Sequence, residues 1–138
     1  MATWTDVERV AAALPLTRAA DGARSWRLDA TLLAWERPLR KSDLAALGAA
    51  APAGPILGVR VPLDAKELLL ASEPTWCFTT PHFHGYPAIL VHLPKIRVPT
   101  LRRLLTDACA SAAAAPPRPR RAAPTRPGAR TRTRRAGR

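Results

Sequence analysis

One corner constrains this chain more than any other feature. It runs Thr79-Thr80-Pro81-His82-Phe83-His84-Gly85-Tyr86-Pro87 and leads into the apolar run Ala88-Ile89-Leu90-Val91. Pro81 and Pro87 fix φ and push Thr80 and Tyr86 toward extended backbone. Gly85 permits a backbone angle that other residues resist. A strand therefore ends before Pro81, the chain turns rigidly, and an apolar strand leaves after Pro87. The corner carries His82, Phe83, His84 and Tyr86 within a short span.

The flanking segments predict an α+β domain. Thr5-Asp6-Val7-Glu8 reads as a capping box. Val7, Val10, Ala11 and Leu14 then keep helical spacing until Pro15. Residues 16–24 read as irregular. Ser25 to Asp29 and Thr31 to Arg37 alternate as strands about an Asp29-Ala30 turn. Between Pro38 and Pro55, Ser42 caps a short helix that Gly48 stops. Ile56 to Val61 reads as a third strand. Asp64 to Ala71 reads as a helix capped by Asp64, with Leu68 and Leu69 facing in. Thr75 to Thr79 and Ala88 to Leu93 are two further strands. Pro99 opens a last helix striped with Leu101, Leu104, Leu105 and Ala108. Hairpin-length links favour an antiparallel sheet of about five strands with helices packed on one face.

Alternation assigns the sides of that sheet. Trp26, Leu28, Val59, Val61, Trp76, Phe78, Ile89, Val91 and Leu93 share the buried face. Arg27, Arg60, Cys77 and His92 take the opposite one. For the second strand, either Leu33, Trp35 and Arg37 or Leu32, Ala34 and Glu36 turn inward, and the set with Trp35 inward is favoured.

Charge is unevenly placed. The formal net charge is +12, yet nine of the 22 basic residues are arginines between Pro116 and Arg138, where there are no acids. The other thirteen stand against ten acidic residues, so the body is only mildly basic, at +3. Residues 1–113 read as one domain. Residues 114–138 read as a disordered Arg/Pro tail, with no large apolar side chain to offset its ordering entropy. The sequence has no apolar run of about 18 residues. It shows no signal peptide, and its two cysteines are far apart. A reduced, cytoplasmic protein without a membrane partner is expected, with a monomer favoured.

The stretch TTPHFHGYPAILVHL, with TWTDVERVAAALP near the start and LDAKELLLASEPTWCFTTP before the corner, resembles the MmcQ/YjbR family of small bacterial proteins. The resemblance spans about residues 3–110, and its specific element is T-P-H-[FY]-x-G-Y-P. It implies a CyaY-like fold. It also implies DNA binding, by analogy to a double-wing DNA-binding domain. It supplies no catalytic residues.

The residues themselves point to phosphate. Arg118, Arg120, Arg121, Arg126, Arg130, Arg132, Arg134 and Arg135 would give sequence-independent, salt-dependent contacts. Arg27 and Arg60, with His92, would form a basic sheet face. Arg40 and Lys41 begin a loop that would reach along a duplex. The corner residues Pro81, His82, Phe83, Gly85, Tyr86 and Pro87 read as structural. His82 and His84, on one side of an extended segment, offer with Cys77 too few ligands for a metal site. Cys77 reads as a buried thiol rather than a nucleophile served by His82. There is no glycine-rich phosphate loop, HExxH or GxSxG element. The expected function is non-catalytic DNA or other polyanion binding, with no cofactor. The alternative is a small protein- or ligand-binding module that uses the His82–Tyr86 corner and has an incidental tail.

Overall fold

A computed structural model describes residues 1–114. The tail arginines from Arg118 to Arg135 lie outside the described residues. Helix α1 (Trp4–Ala12) is capped two residues before the expected position. Thr3 is its N-cap: its hydroxyl accepts the Asp6 N–H at 3.3 Å, and the Asp6 carboxylate accepts the Thr3 N–H at 2.9 Å. Asp6 thus fills the place expected of Glu8. Trp4 enters the first turn and packs on the core, with the Arg24 guanidinium 4.9 Å over its ring.

Six antiparallel strands follow the spatial order β1-β2-β3-β4-β6-β5. They are β1 (Thr17–Arg18), β2 (Ser25–Leu28), β3 (Thr31–Glu36), β4 (Ile56–Arg60), β5 (Cys77–Phe78) and β6 (Ala88–His92). The sixth strand is β1, in the span read as irregular. It has only two residues, both exposed, so it carries no alternation to read. Helix α2 (Lys41–Leu47) follows β3, α3 (Leu63–Ser72) follows β4, and α4 (Val98–Ala114) follows β6. Helices α2 and α3 are capped at Arg40 and Pro62, not at Ser42 and Asp64.

Helices α1 and α4 cover one sheet face. Val7 and Val10 of α1 and Leu101 and Leu105 of α4 bury against Trp26, Leu57, Val59, Ile89 and Val91. Helix α3 adds Ala65, Leu69 and Leu70 at the margin of this core. Leu68, expected inward, is 67% exposed, while Lys66 is buried.

Two side assignments are corrected. In the β2–β3 ladder Trp26 pairs with Ala34 and Arg27 with Leu32, so Leu33 is an extra residue. This bulge turns Leu33 and Ala34 both toward the helices. Trp35 therefore falls on the opposite face, not inward. Gly58 lies across from it on β4 and leaves room for the indole. At the other edge, Cys77 pairs with Val91 and Phe78 with Leu90, so Cys77 faces the helices and Phe78 does not. Trp76 reaches the helical core from the turn before β5, where strand alternation does not apply.

The second face has its own apolar cluster. Ile56, Phe83, Ala88 and Leu90 are buried there, with Trp35, Leu39 and Phe78 packed around them. Arg27, Arg60 and His92 share this face by register. Arg27 is exposed and Arg60 and His92 are half-buried, and Phe83 of the corner is buried on the same face. His92 Nε2 donates to the Ala53 carbonyl at 2.6 Å. Among the described residues no helix is long and apolar enough to cross a membrane.

Candidate functional site

The corner is a turn of tight helix. Thr80 is extended, Pro81–Phe83 form one 3-10 turn, and the Phe83 N–H donates to the Thr80 carbonyl at 2.9 Å. Gly85 follows at φ 76°, where a side chain is disfavoured. The Tyr86 N–H then closes on the Phe83 carbonyl at 2.9 Å. With three residues per turn, His82 and His84 do not share a side. His82 lines a cleft with Trp35, and His84 lines another with Leu47 and Leu63. The extended reading that placed both rings together is therefore corrected. Among the described residues no three His, Cys, Asp or Glu side chains gather as a metal site. Cys77 is buried on the helical side, and burial, with Glu73 nearby, pushes its thiol up to about 12.

Two buried cations hold the corner. Lys66 Nζ donates to the Phe83 carbonyl at 2.6 Å and to the Tyr86 carbonyl at 2.7 Å. Burial disfavours its charge and lowers its pKa. The sequence reading missed Lys66, although its place on the α3 stripe, three residues from Leu63 and Leu69 and four from Leu70, is a signal. Arg37 forms an ion pair with Asp43 at 3.0 Å, both side chains nearly covered. The Arg37 guanidinium also donates to the Pro38 carbonyl and lies 5.2 Å over the Phe83 ring.

Asp43 sits under a thin cover of protein. That burial alone would raise its pKa. The Arg40 N–H, at 2.9 Å, and the Arg37 charge outweigh it and hold the carboxyl below its ordinary value. The Thr80 hydroxyl is buried with no partner at hydrogen-bonding distance, yet it stands near enough to favour the carboxylate. Phe83 is thus fixed from several directions: Lys66 on its carbonyl, Arg37 on its ring, and His82 edge-on at 5.0 Å.

Beside this anchor opens a cleft of about 460 Å³, whose walls include Leu32, Trp35, Arg40, His82, Phe83 and Tyr86. The ring centroids of Trp35 and Phe83 are 6.4 Å apart, and those of Phe83 and Tyr86 6.0 Å. Tyr86 is 46% exposed, whereas Phe83, three residues before it, is buried. Arg40 stands in the wall, and Lys41 follows it at the start of α2. Arg27 lies across the β2–β3 ladder from Leu32. Arg60 lies across from Ala88, two residues beyond Tyr86. Among the described residues, none of Arg27, Arg40, Lys41 and Arg60 enters an ion pair. Arg27 donates to the Ala30 carbonyl at 3.2 Å. The acid at the cleft, Glu36, is paired with Arg24 at 3.4 Å. The sequence treated the basic face and the aromatic corner as separate. The register places Arg27 and Arg60 on the face that carries Phe83, and Arg40 lines the cleft there.

Three curated proteins illustrate what the chain is similar to. The uncharacterized protein Rv2570 of Mycobacterium tuberculosis is 54% identical over 112 residues, covering 78% of this chain and 86% of its own length. The uncharacterized proteins Mb2600 of Mycobacterium bovis and MT2646 of a second Mycobacterium tuberculosis strain match with the same identity and coverage. No family model matches the sequence, and no solved structure matches it at a significant level.

Proposed function

We propose that this chain, which belongs to the family of these mycobacterial proteins, is a non-catalytic nucleic-acid-binding protein. One observation carries the reading. Arg27 and Arg60 are exposed or half-exposed on the sheet face that α1 and α4 leave uncovered, exposed Arg40 and Lys41 start α2, and none of the four has an acidic partner among the described residues. Arg40 lines the aromatic cleft on that face. Cations of this kind contact phosphate oxygens and give orientation rather than sequence choice. The resemblance to the MmcQ/YjbR family adds support for DNA at the level of fold alone. The nine arginines after Pro116 would add general phosphate affinity by composition. Buried, protonated Cys77 and histidines divided between two clefts favour a binding role over a catalytic one. A cytoplasmic setting suits such a role.

The test is a titration of labelled duplex DNA into the full chain and its Arg27→Ala/Arg60→Ala variant at several salt concentrations. Each lost phosphate contact should flatten the slope of log affinity against log salt by about 0.9. Melting temperatures should stay unchanged, because both side chains point away from the helical core. An unchanged slope would leave the tail or Arg40 and Lys41 as the contacts. Absence of binding at low salt would refute the reading and return the corner to a small-ligand or protein-binding role.

A further inference from the structure

We infer that the cleft beside Tyr86 takes an unstacked base from single-stranded nucleic acid. This rests on the nucleic-acid reading and narrows it to a strand type. A duplex offers the protein its phosphates and keeps its base faces stacked inside. For such a ligand the cations alone would serve, and an aromatic cleft among them would add nothing. A single strand presents both phosphates and π faces.

The cleft meets the second requirement. Trp35 is half-buried in its wall, and Tyr86 is 46% exposed at its edge. Its volume, about 460 Å³, falls within the range of small-ligand sites. The charge is complementary: Arg40 stands in the wall and is not paired with an acid among the described residues, and Glu36, the acid of the lining, is paired with Arg24. The frame is also rigid. The Tyr86 carbonyl is held by Lys66 at 2.7 Å, and Phe83 lies under Arg37, itself paired with buried Asp43. An aromatic surface fixed before binding loses little conformational entropy when a base stacks on it.

The experiment uses the full chain and fluorescence anisotropy with short labelled strands: thymidine, an abasic strand of the same length, uridine, and a duplex. The tail arginines meet the same phosphates in the thymidine and abasic strands, so their difference isolates the base. Thymidine should bind on the order of tenfold more tightly than the abasic strand. Tyr86→Ala should abolish that margin and leave abasic affinity and its salt slope unchanged, because it removes a π face and no cation. Tyr86→Phe should retain the margin. Arg40→Ala should instead flatten the slope for every single strand by about 0.7. The uridine strand separates RNA from DNA as the source, and the inference requires the base-dependent margin in at least one of them. Equal affinity for strands with and without bases would overturn base insertion and leave the nucleic-acid reading standing. No binding to any strand or to the duplex would overturn both. The abasic comparison needs no variant, so a destabilised Tyr86→Ala protein would not blunt it.

Discussion

Gly58→Ala probes the second sheet face at its tightest contact. A Cβ on Gly58 would lie 2.6 Å from Trp35 Cε2, 2.8 Å from Cζ2 and 3.0 Å from Nε1. Carbon atoms pack at about 3.5–4.0 Å, so the indole must move outward by about an ångström. It has little freedom to do so, because Phe83 lies beside it and is itself fixed by Lys66 and Arg37. Overpacking of this kind costs roughly 1–3 kcal/mol. The backbone gives an opposite sign: Gly58 does not have positive φ, and glycine-to-alanine changes at compatible sites stabilise by roughly 0.4–1 kcal/mol. The net expectation is a loss of about 1–2 kcal/mol, reflecting the difference between these two effects. Urea unfolding followed by far-ultraviolet circular dichroism measures it. The control is the same substitution in a Trp35→Ala background. There the clash is gone, and Gly58→Ala should be neutral or stabilising, which gives a coupling of about 1 kcal/mol or more. An equal loss in both backgrounds would refute the contact. A stabilised Gly58→Ala single variant would refute the placement of Trp35 on this face.

Two further substitutions test the anchors. Lys66→Met leaves the Phe83 and Tyr86 carbonyls without their buried donor and should destabilise the fold by roughly 2 kcal/mol. Amide exchange at His84 and Tyr86 should quicken, and an unchanged melting temperature with unchanged exchange would show that the lysine does not hold the turn. Asp43→Asn strands the Arg37 charge and should cost about 2–3 kcal/mol near neutral pH, below the usual loss for a deeply buried pair because the cover is thin. The folded-state pKa of Asp43 lies below its ordinary value, so its contribution is full above about pH 4 and is lost as pH falls through the folded value. The gap between wild-type and variant melting temperatures should therefore narrow in acid, and a gap that does not narrow as pH falls below about 4 would contradict the assignment.

The helical core was legible because β4 and β6 announce it. Leu57 and Val59, and Ile89 and Val91, alternate cleanly and meet the Leu101, Leu105 stripe of α4. The errors have local physical causes. Alternation presumes an uninterrupted pleat, and the extra Leu33 reverses the side of every later residue on β3. Strand β5 has two residues, so extending its period back to Trp76 assigned Cys77 and Phe78 to the wrong faces. The two histidines were paired by assuming extended backbone where Pro81 starts a 3-10 turn. Lys66 was missed because a helical lysine is ordinarily solvated, and its partners are carbonyls 17 and 20 residues away. That Arg27 and Arg60 share a sheet face with the corner's Phe83 is a matter of register, and no local pattern encodes it.

The materials of the corner bear on its purpose. A turn needed only to close a sheet face is served by apolar packing, as Phe83, Ala88 and Leu90 already show. This corner adds two buried cations, Lys66 and Arg37, and one buried carboxylate, Asp43. Replacing buried ion pairs with packed hydrophobic groups is often neutral or stabilising, so maximal stability does not account for them. The Lys66 hydrogen bonds are directional and fix the Phe83 and Tyr86 backbone more narrowly than apolar contacts would, while Arg37, held by Asp43, covers the Phe83 ring. What they position is a half-exposed tyrosine ring at the edge of a cleft whose Arg40 has no acidic partner among the described residues. Rigidity placed beneath an exposed aromatic surface, rather than beneath a covered one, is the pattern of a site organised before its ligand arrives. On this argument, loosening the anchor should weaken binding even where no contact to the ligand is lost. Lys66→Met should therefore reduce the thymidine-over-abasic margin while leaving abasic affinity intact. A margin that survived with Lys66 removed and the turn loosened would show that the anchor serves the fold alone.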